Sequence, residues 1–206
     1  MRILITILVL IFSLQSWTKA DVIKEFEMEG MTVGNSLLNY FNRDKIEQEK
    51  NSEFVYKYKD NKFFLLGIGS HDSYPLNIKL ENYDELGVVI KPNDKNYIIY
   101  SLSGEIFCTK DINICLSKQK IIISELKDIF GSEVEFKTYE EPHRVDQSGN
   151  SIVFGNEFNF PSGSAISINV YQWSNKLKTE ENYSDILKVS INSDEYSYFL
   201  RYEAYE

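Results

Sequence analysis

Four groups of residues in this chain have types that could do chemistry. The stretch GMTVGNSLLNYF over 30–41 places Ser36 in a VGNSLL context, one residue from the GDSL signature of serine esterases. In such an enzyme the serine hydroxyl attacks an ester carbonyl once a histidine takes its proton. His71-Asp72-Ser73 sets a base, an acid and a nucleophile side by side, and His143 stands between Glu140 and Asp146, where it could join a cation site. Behind His143 runs an oxygen-rich stretch from Asp146 to Ser151, and Cys108 and Cys115 lie close together in FCTKDINIC.

The elements needed to position a hydrolase around Ser36 are missing from the text. A GDSL-type enzyme takes its base from a D-x-x-H motif and an asparagine from G-x-N-D. Here Asn35 replaces the aspartate, Ile68 stands three residues before His71, and Glu140 stands three before His143. Asn93-Asp94 follows Lys91-Pro92 and no glycine. The residues from Glu29 to Val33 are too polar and glycine-rich for a central parallel strand, and the chain lacks βαβ alternation. Ser36 therefore reads as a first-turn residue of a helix capped by Asn35, its hydroxyl meeting a free backbone amide. Adjacent side chains rarely face one another, so 71–73 reads as a polar loop. The 146–151 run lacks the glycine and glutamate register of a calcium loop. No catalytic residue, metal or cofactor is assigned. A serine-type hydrolase using Ser36 with His71 or His143 remains the alternative.

The chain opens MRILITILVLIFSLQSWTKA, with Arg2 before an apolar run from Ile3 to Leu14 and a small-residue end at Ala20. This is the pattern of a signal peptide over 1–20, cleaved between Ala20 and Asp21. The run is shorter than the roughly 20 residues of a spanning helix. The expected product is exported, periplasmic or secreted and bacterial, with no integral membrane anchor after cleavage. Loss of Arg2 and Lys19 takes the net charge from −9 to −11, which disfavours nucleic acid and anionic membrane as partners. In an oxidising compartment Cys108 and Cys115 are expected to pair. No His or further Cys lies near enough in sequence to make them a metal site, and the redox CxxC spacing is absent.

The remaining 186 residues suffice for one domain over 21–206, with the loop-rich stretch 131–150 as a place where it could divide. Strand patterns fall at 22–28, 53–68 around a Lys59-Asp60-Asn61 turn, 86–90, 97–107, 134–139, 151–160, 164–173 and 186–191. Helical patterns fall at 35–41 with a second helical turn over 44–49, at 113–130 with Gly131 as stop, and from Ser193 or Asp194 through Tyr202. The fold class is α+β, mainly antiparallel β-sheet with about three helices packed on it. Tyr56, Tyr58, Phe63, Phe64, Tyr171 and Trp173 sit on strand segments. An exposed row of aromatics would stack on sugars or grip a peptide, but core and cross-strand packing is the simpler expectation.

With the leader, the segments GMTVGNSLLNYF, YIIYSLSGEIFCTKDINICLSKQKIIISELKDIFG and DQSGNS…INVYQWS…LKVSINSDEY resemble a group of small exported bacterial proteins with no assigned activity, whose first motif reads EGMSIGDSLLDYF. The opening strand, G-M-T and amphipathic helix also look like small envelope modules of the outer-membrane assembly lipoprotein type. The first resemblance implies export and a shared fold, and no chemistry. The expected function is a non-catalytic periplasmic binding or interaction protein whose partner is a protein or a small molecule. An envelope structural or assembly factor is a further alternative.

Overall fold

The computed structural model describes residues 22–53, 55–109 and 111–204. The leader and the Ala20–Asp21 junction lie outside them. Ten strands and four α-helices follow in chain order: β1 (Glu27–Met28), β2 (Met31–Thr32), α1 (Arg43–Lys50), β3 (Tyr56–Lys57), β4 (Phe64–Gly69), β5 (Glu85–Ile90), β6 (Ser101–Phe107), α2 (Ile112–Phe130), β7 (Glu135–Pro142), β8 (Ile152–Asn159), β9 (Ala165–Gln172), α3 (Asn175–Glu180), β10 (Ile186–Asn192) and α4 (Asp194–Tyr202). β1 and β2 form a two-stranded sheet; the other eight hydrogen-bond in the order β3-β4-β5-β6-β10-β9-β8-β7. The class is α+β with a large antiparallel sheet. It carries one helix more than the sequence suggests, because the polar segment of α3 shows no apolar stripe and only its cap, Ser174, marks it.

The chain divides into two compact units. Among the described residues, one holds those up to Ser103, Pro161–Ser164 and those from Ile191; the other holds those within Gly104–Phe160 and Ala165–Ser190. The stretch 131–150 lies wholly inside the second.

In the first unit the β1–β2 hairpin turns through Glu29 and Gly30, both at positive φ (49° and 78°), as a two-residue hairpin requires. The expected strand over 22–28 begins instead as a 3-10 turn, Val22–Glu25. Ser36 itself, one residue beyond the expected cap, opens a short 3-10 turn over Leu37–Asn39, and Asn42 caps α1. β4 and β5 pair from Phe64↔Ile90 to Gly69↔Glu85, and their alternate residues Leu66, Ile68, Val88 and Ile90 are fully buried. The β3–β4 connection turns at Asp60 and Asn61, both left-handed, a conformation these two residue types tolerate. α4 drops Tyr196 and Phe199 onto Phe63 and Val89.

Residues 97–100 do not continue β6 as the apolar run suggests. Tyr97 sits at φ 49°, which ends strand geometry there. A clamp holds it: Arg43 Nη1 donates to the Tyr97 hydroxyl (3.0 Å), which donates to Glu47, and Lys50 reaches Glu47 (2.8 Å) and the Pro92 carbonyl (3.1 Å). These bonds offset the roughly 1–2 kcal/mol that a left-handed L-residue costs. Beyond the clamp, Gly34 donates to the Ile99 carbonyl (2.8 Å) and Ile99 to that of Asn35 (2.9 Å). The segment 98–100 is thereby laid against 33–35.

In the second unit α2 buries Cys115, Gln119, Ile122, Leu126 and Phe130, one stripe at helical spacing. Asp111 caps its start and Gly131, at φ 56°, ends it. The stripe covers one face of β7–β9, where Phe130 meets Phe158 and the Gln119 amide donates to the carbonyls of Phe154 and Ile168 (2.7 and 2.8 Å). The Cys108 and Cys115 sulfurs stand at bonding distance with Cα atoms 5.9 Å apart, joining the end of β6 to the first turn of α2.

Candidate functional site

The residues that could have formed a hydrolase are not brought together. The Ser36 hydroxyl donates to the Asn96 carbonyl and accepts from the Leu38 amide, the part of a capping residue. His71 Nδ1 accepts from the Ser73 amide (3.1 Å) and lies 3.0 Å from its hydroxyl, a local exposed turn, and among the described residues no carboxylate bonds the ring. His143 belongs to the second unit, whereas Ser36 and His71 belong to the first. Its Nδ1 accepts from the Val145 amide, and its ring packs edge-on to Trp173 at 4.5 Å and Tyr171 at 5.4 Å. Burial there lowers its basicity, against the opposing pull of the Asp146 carboxylate.

The oxygen-rich run after His143 is a self-satisfied turn. Asp146 accepts from the Ser148 amide and hydroxyl and from the Ser151 hydroxyl, bonds that hold its carboxyl well below the usual range. Among the described residues no group of three or more His, Cys, Asp or Glu is placed to hold a metal ion. No helix among them is long and apolar enough to cross a membrane.

The strand aromatics divide. Phe63, Phe64 and Trp173 are buried, while Tyr56 is exposed. On the β7–β9 face away from α2, Tyr139, Gly155 and Asn169 stand opposite one another, and the Tyr139 hydroxyl reaches Asn169 Oδ1 at 3.3 Å. The same face carries Tyr171, whose hydroxyl is 3.4 Å from Asn169 Nδ2.

A cavity of about 380 Å³ lies within the first unit. Its floor is apolar: Ile23, Val33 and Ile99 are buried, and Ile98 and Tyr100 half-buried. A hydroxyl group of walls comes from Ser162, Ser164 and Ser193, with Asp194 beside them. Ser164 is 3% exposed and its hydroxyl meets that of Ser162 at 2.6 Å. Gly163, at φ 92°, carries this loop past α4; a Cβ there would stand 3.4 Å from that of Asp194. At another wall the Lys24 stem lies over Gly34, where a Cβ would be 3.6 Å from Cε. Lys24 and Asp194 are both exposed at the rim. A second, wider depression of about 700 Å³ lies between the polar turns Asp60–Lys62 and Lys91–Asp94 and lacks such a floor; its Lys91 is paired with Glu195 at 2.7 Å.

The apolar floor with a few polar groups at its edge is the usual make-up of a small-molecule site. Sequence reading missed it because its lining comes from five separated segments, none with a motif. Comparison with protein-family models, with curated proteins and with solved structures finds no match for this chain.

Proposed function

We propose that this is an exported, non-catalytic binding protein that takes a small molecule into the cavity between Ile23, Ile99, Ser164 and Asp194. One observation carries the reading. The cavity joins a buried aliphatic floor to a hydroxyl- and charge-bearing rim, and Ser36, His71 and His143 are not among its lining residues. Export is supported by the leader pattern and by the paired cysteines of an otherwise thiol-free chain.

The test is methyl-resolved NMR of the purified protein with a panel of small alcohols, amines, carboxylates, monosaccharides and short peptides. At least one class should shift the methyls of Ile23, Val33, Ile98 and Ile99 in a saturable way. Ile98→Trp, which fills the cavity, should abolish the response while the melting profile stays cooperative. A panel that leaves these methyls unmoved, or a response that survives Ile98→Trp, would overturn the reading. Turnover of an ester, peptide or glycoside lost in Ser36→Ala or His143→Ala would favour the hydrolase alternative.

A further inference from the structure

We propose that the outer edge of β7 pairs with the β7 edge of a second copy of this chain, antiparallel about Tyr139, so that Lys137 of each copy faces Glu141 of the other. The inference is independent of the cavity. It rests on an open strand edge and on the order of charges along it.

The edge is long and regular. β7 has 8 residues, and all but Phe136 are exposed. It pairs with β8 one to one from Glu135↔Asn159 to Pro142↔Ile152, so no bulge twists it away. It ends the strand order, and among the described residues no strand takes its other side. The next step of the same ladder shows which backbone groups face outward. The His143 amide donates to the Ser151 carbonyl at 2.8 Å. Backbone groups alternate in direction along a strand, so Glu135, Lys137, Tyr139 and Glu141 bond inward to β8 as His143 does. The N–H and C=O of Phe136, Thr138 and Glu140 therefore point outward, with the C=O of Pro142. Proline at an outward position agrees, because its missing N–H takes no bond from β8. Such a row of backbone donors and acceptors is a template for another strand.

Charge selects the occupant and the register. Outward groups must meet outward groups, so a second copy slides along the edge only in steps of two residues. With Tyr139 opposite its own counterpart, Lys137 faces Glu141 on the side away from α2, and the two-fold axis makes the contact twice. Glu135 then faces His143. On the other side Thr138 lies opposite Glu140, exchanging both backbone bonds, and Phe136 lies opposite Pro142. One step in either direction sets Glu135 against Glu141, or Glu140 against its own counterpart, and like charges directly opposite are destabilising. The Tyr139 ring leans over Gly155, away from the edge, and leaves the axis open. Lys137 also meets Glu135 of its own strand at 3.2 Å, but both side chains are more than half exposed, and an ammonium with three donors serves Glu141 of the second copy as well.

A strand pairing of this length covers little area, so the dimer is weak, with a Kd on the order of 100 µM. The net negative charge of the chain opposes the encounter. The measurement is therefore made at about 0.15 M salt, where repulsion beyond about 8 Å is screened.

Sedimentation velocity of the purified protein from about 10 µM to about 1 mM should show monomer passing to dimer. Over the same range hydrogen exchange of the Thr138 and Glu140 amides should slow, while that of Lys137 and Tyr139, already bonded to β8, stays constant. Lys137→Glu and Glu141→Lys, each alone, set like charges opposite and should weaken the dimer by about tenfold or more. An equimolar mixture of the two variants restores opposite charges at both contacts and should dimerise as the wild type does. A protein still monomeric at the highest concentration, a dimer indifferent to both substitutions, or a mixture no tighter than its components would overturn the proposal. So would Thr138 and Glu140 amides equally protected at every concentration, the mark of an edge covered within one chain. The exchange measurement needs no variant, so it decides the matter even where a substitution unfolds the chain.

Discussion

Glu49 stands where α1 meets the edge of β4, with no surface exposed to solvent. Its Oε1 accepts from the Gly67 amide at 3.0 Å, an edge group that lies beyond the two-residue pairing of β4 with β3. Its Oε2 is buried with no hydrogen-bond partner among the described residues. Burial pushes the carboxyl above its ordinary value, only partly offset by bonds from the Gly67 amide and the Ser52 side chain. The folded state thus holds the proton more tightly than the unfolded chain. Between the ordinary carboxylate value and the raised one, folding stability falls as pH rises, by at most about 1.4 kcal/mol per pH unit for one proton. Below that window the penalty is absent, and above it the penalty is complete. Glu49→Gln keeps an acceptor for Gly67 and removes the charge. Urea denaturation over a pH series should show the variant gaining on the wild type as pH rises through the window, then holding a constant margin. Parallel pH profiles for the two proteins would sink the argument. The sequence shows Ile46 as the buried residue of this helix but hides Glu49 three positions on, because a carboxylate is assigned to the surface unless a partner is visible.

At the scale of elements, β7, β8 and β9 carry a glycine where a strand would gain from a side chain. Gly155 lies opposite Tyr139 and Asn169, and a Cβ there would stand 2.1 Å from Tyr139 Cζ. The tyrosine ring covers the glycine backbone, the arrangement by which an aromatic compensates a strand glycine. Burial and the neighbouring Tyr171, Glu157 and Glu141 push the Tyr139 phenol up to about 12, so it stays a neutral donor to Asn169. Backbone entropy alone makes Gly155→Ala stabilising by roughly 0.5–1 kcal/mol. Because the new methyl must turn the ring aside, the opposite sign is expected in the wild type, a loss of about 1 kcal/mol. In a Tyr139→Ala background the same change should stabilise. A chemical-denaturation cycle measures this coupling, and additivity within about 0.3–0.5 kcal/mol would refute it. Elements with a local signature were legible: α2 from its apolar stripe and Gly131, α4 from Ser193, and the β3–β4 turn from Asp60-Asn61. Tyr97 misled, since its apolar neighbourhood reads as strand, while its left-handed backbone is set by Arg43 and Glu47, residues about 50 positions away. The same holds for the cavity, whose lining is assembled from residues 23–24, 33–34, 98–100, 162–164 and 193–194.

For the molecule as a whole, the two cysteines and the acidic charge belong to one argument about compartment. Cys108 and Cys115 are both buried, at 3% and 0% exposure, and close a short loop. Such a loop contributes about 2 kcal/mol by restricting the unfolded chain. That contribution depends on an oxidising surrounding, because reducing compartments keep thiols apart. A leader ending at Ala20 would deliver the chain to such a surrounding and raise its net charge to −11, which favours solubility at high local concentration. The two inferences come from different stretches of sequence and can be checked on one sample. Protein expressed with its leader in a bacterial host and recovered from the periplasm or medium should have an intact mass that starts at Asp21. The mass should be lower by two hydrogens than that of the reduced chain, and non-reduced peptide mapping should return one fragment linking Cys108 to Cys115. Recovery of the uncut chain in the cell interior with both thiols free would remove the support for export. The cavity, whose described lining includes neither cysteine, would then have to be read as that of an internal protein.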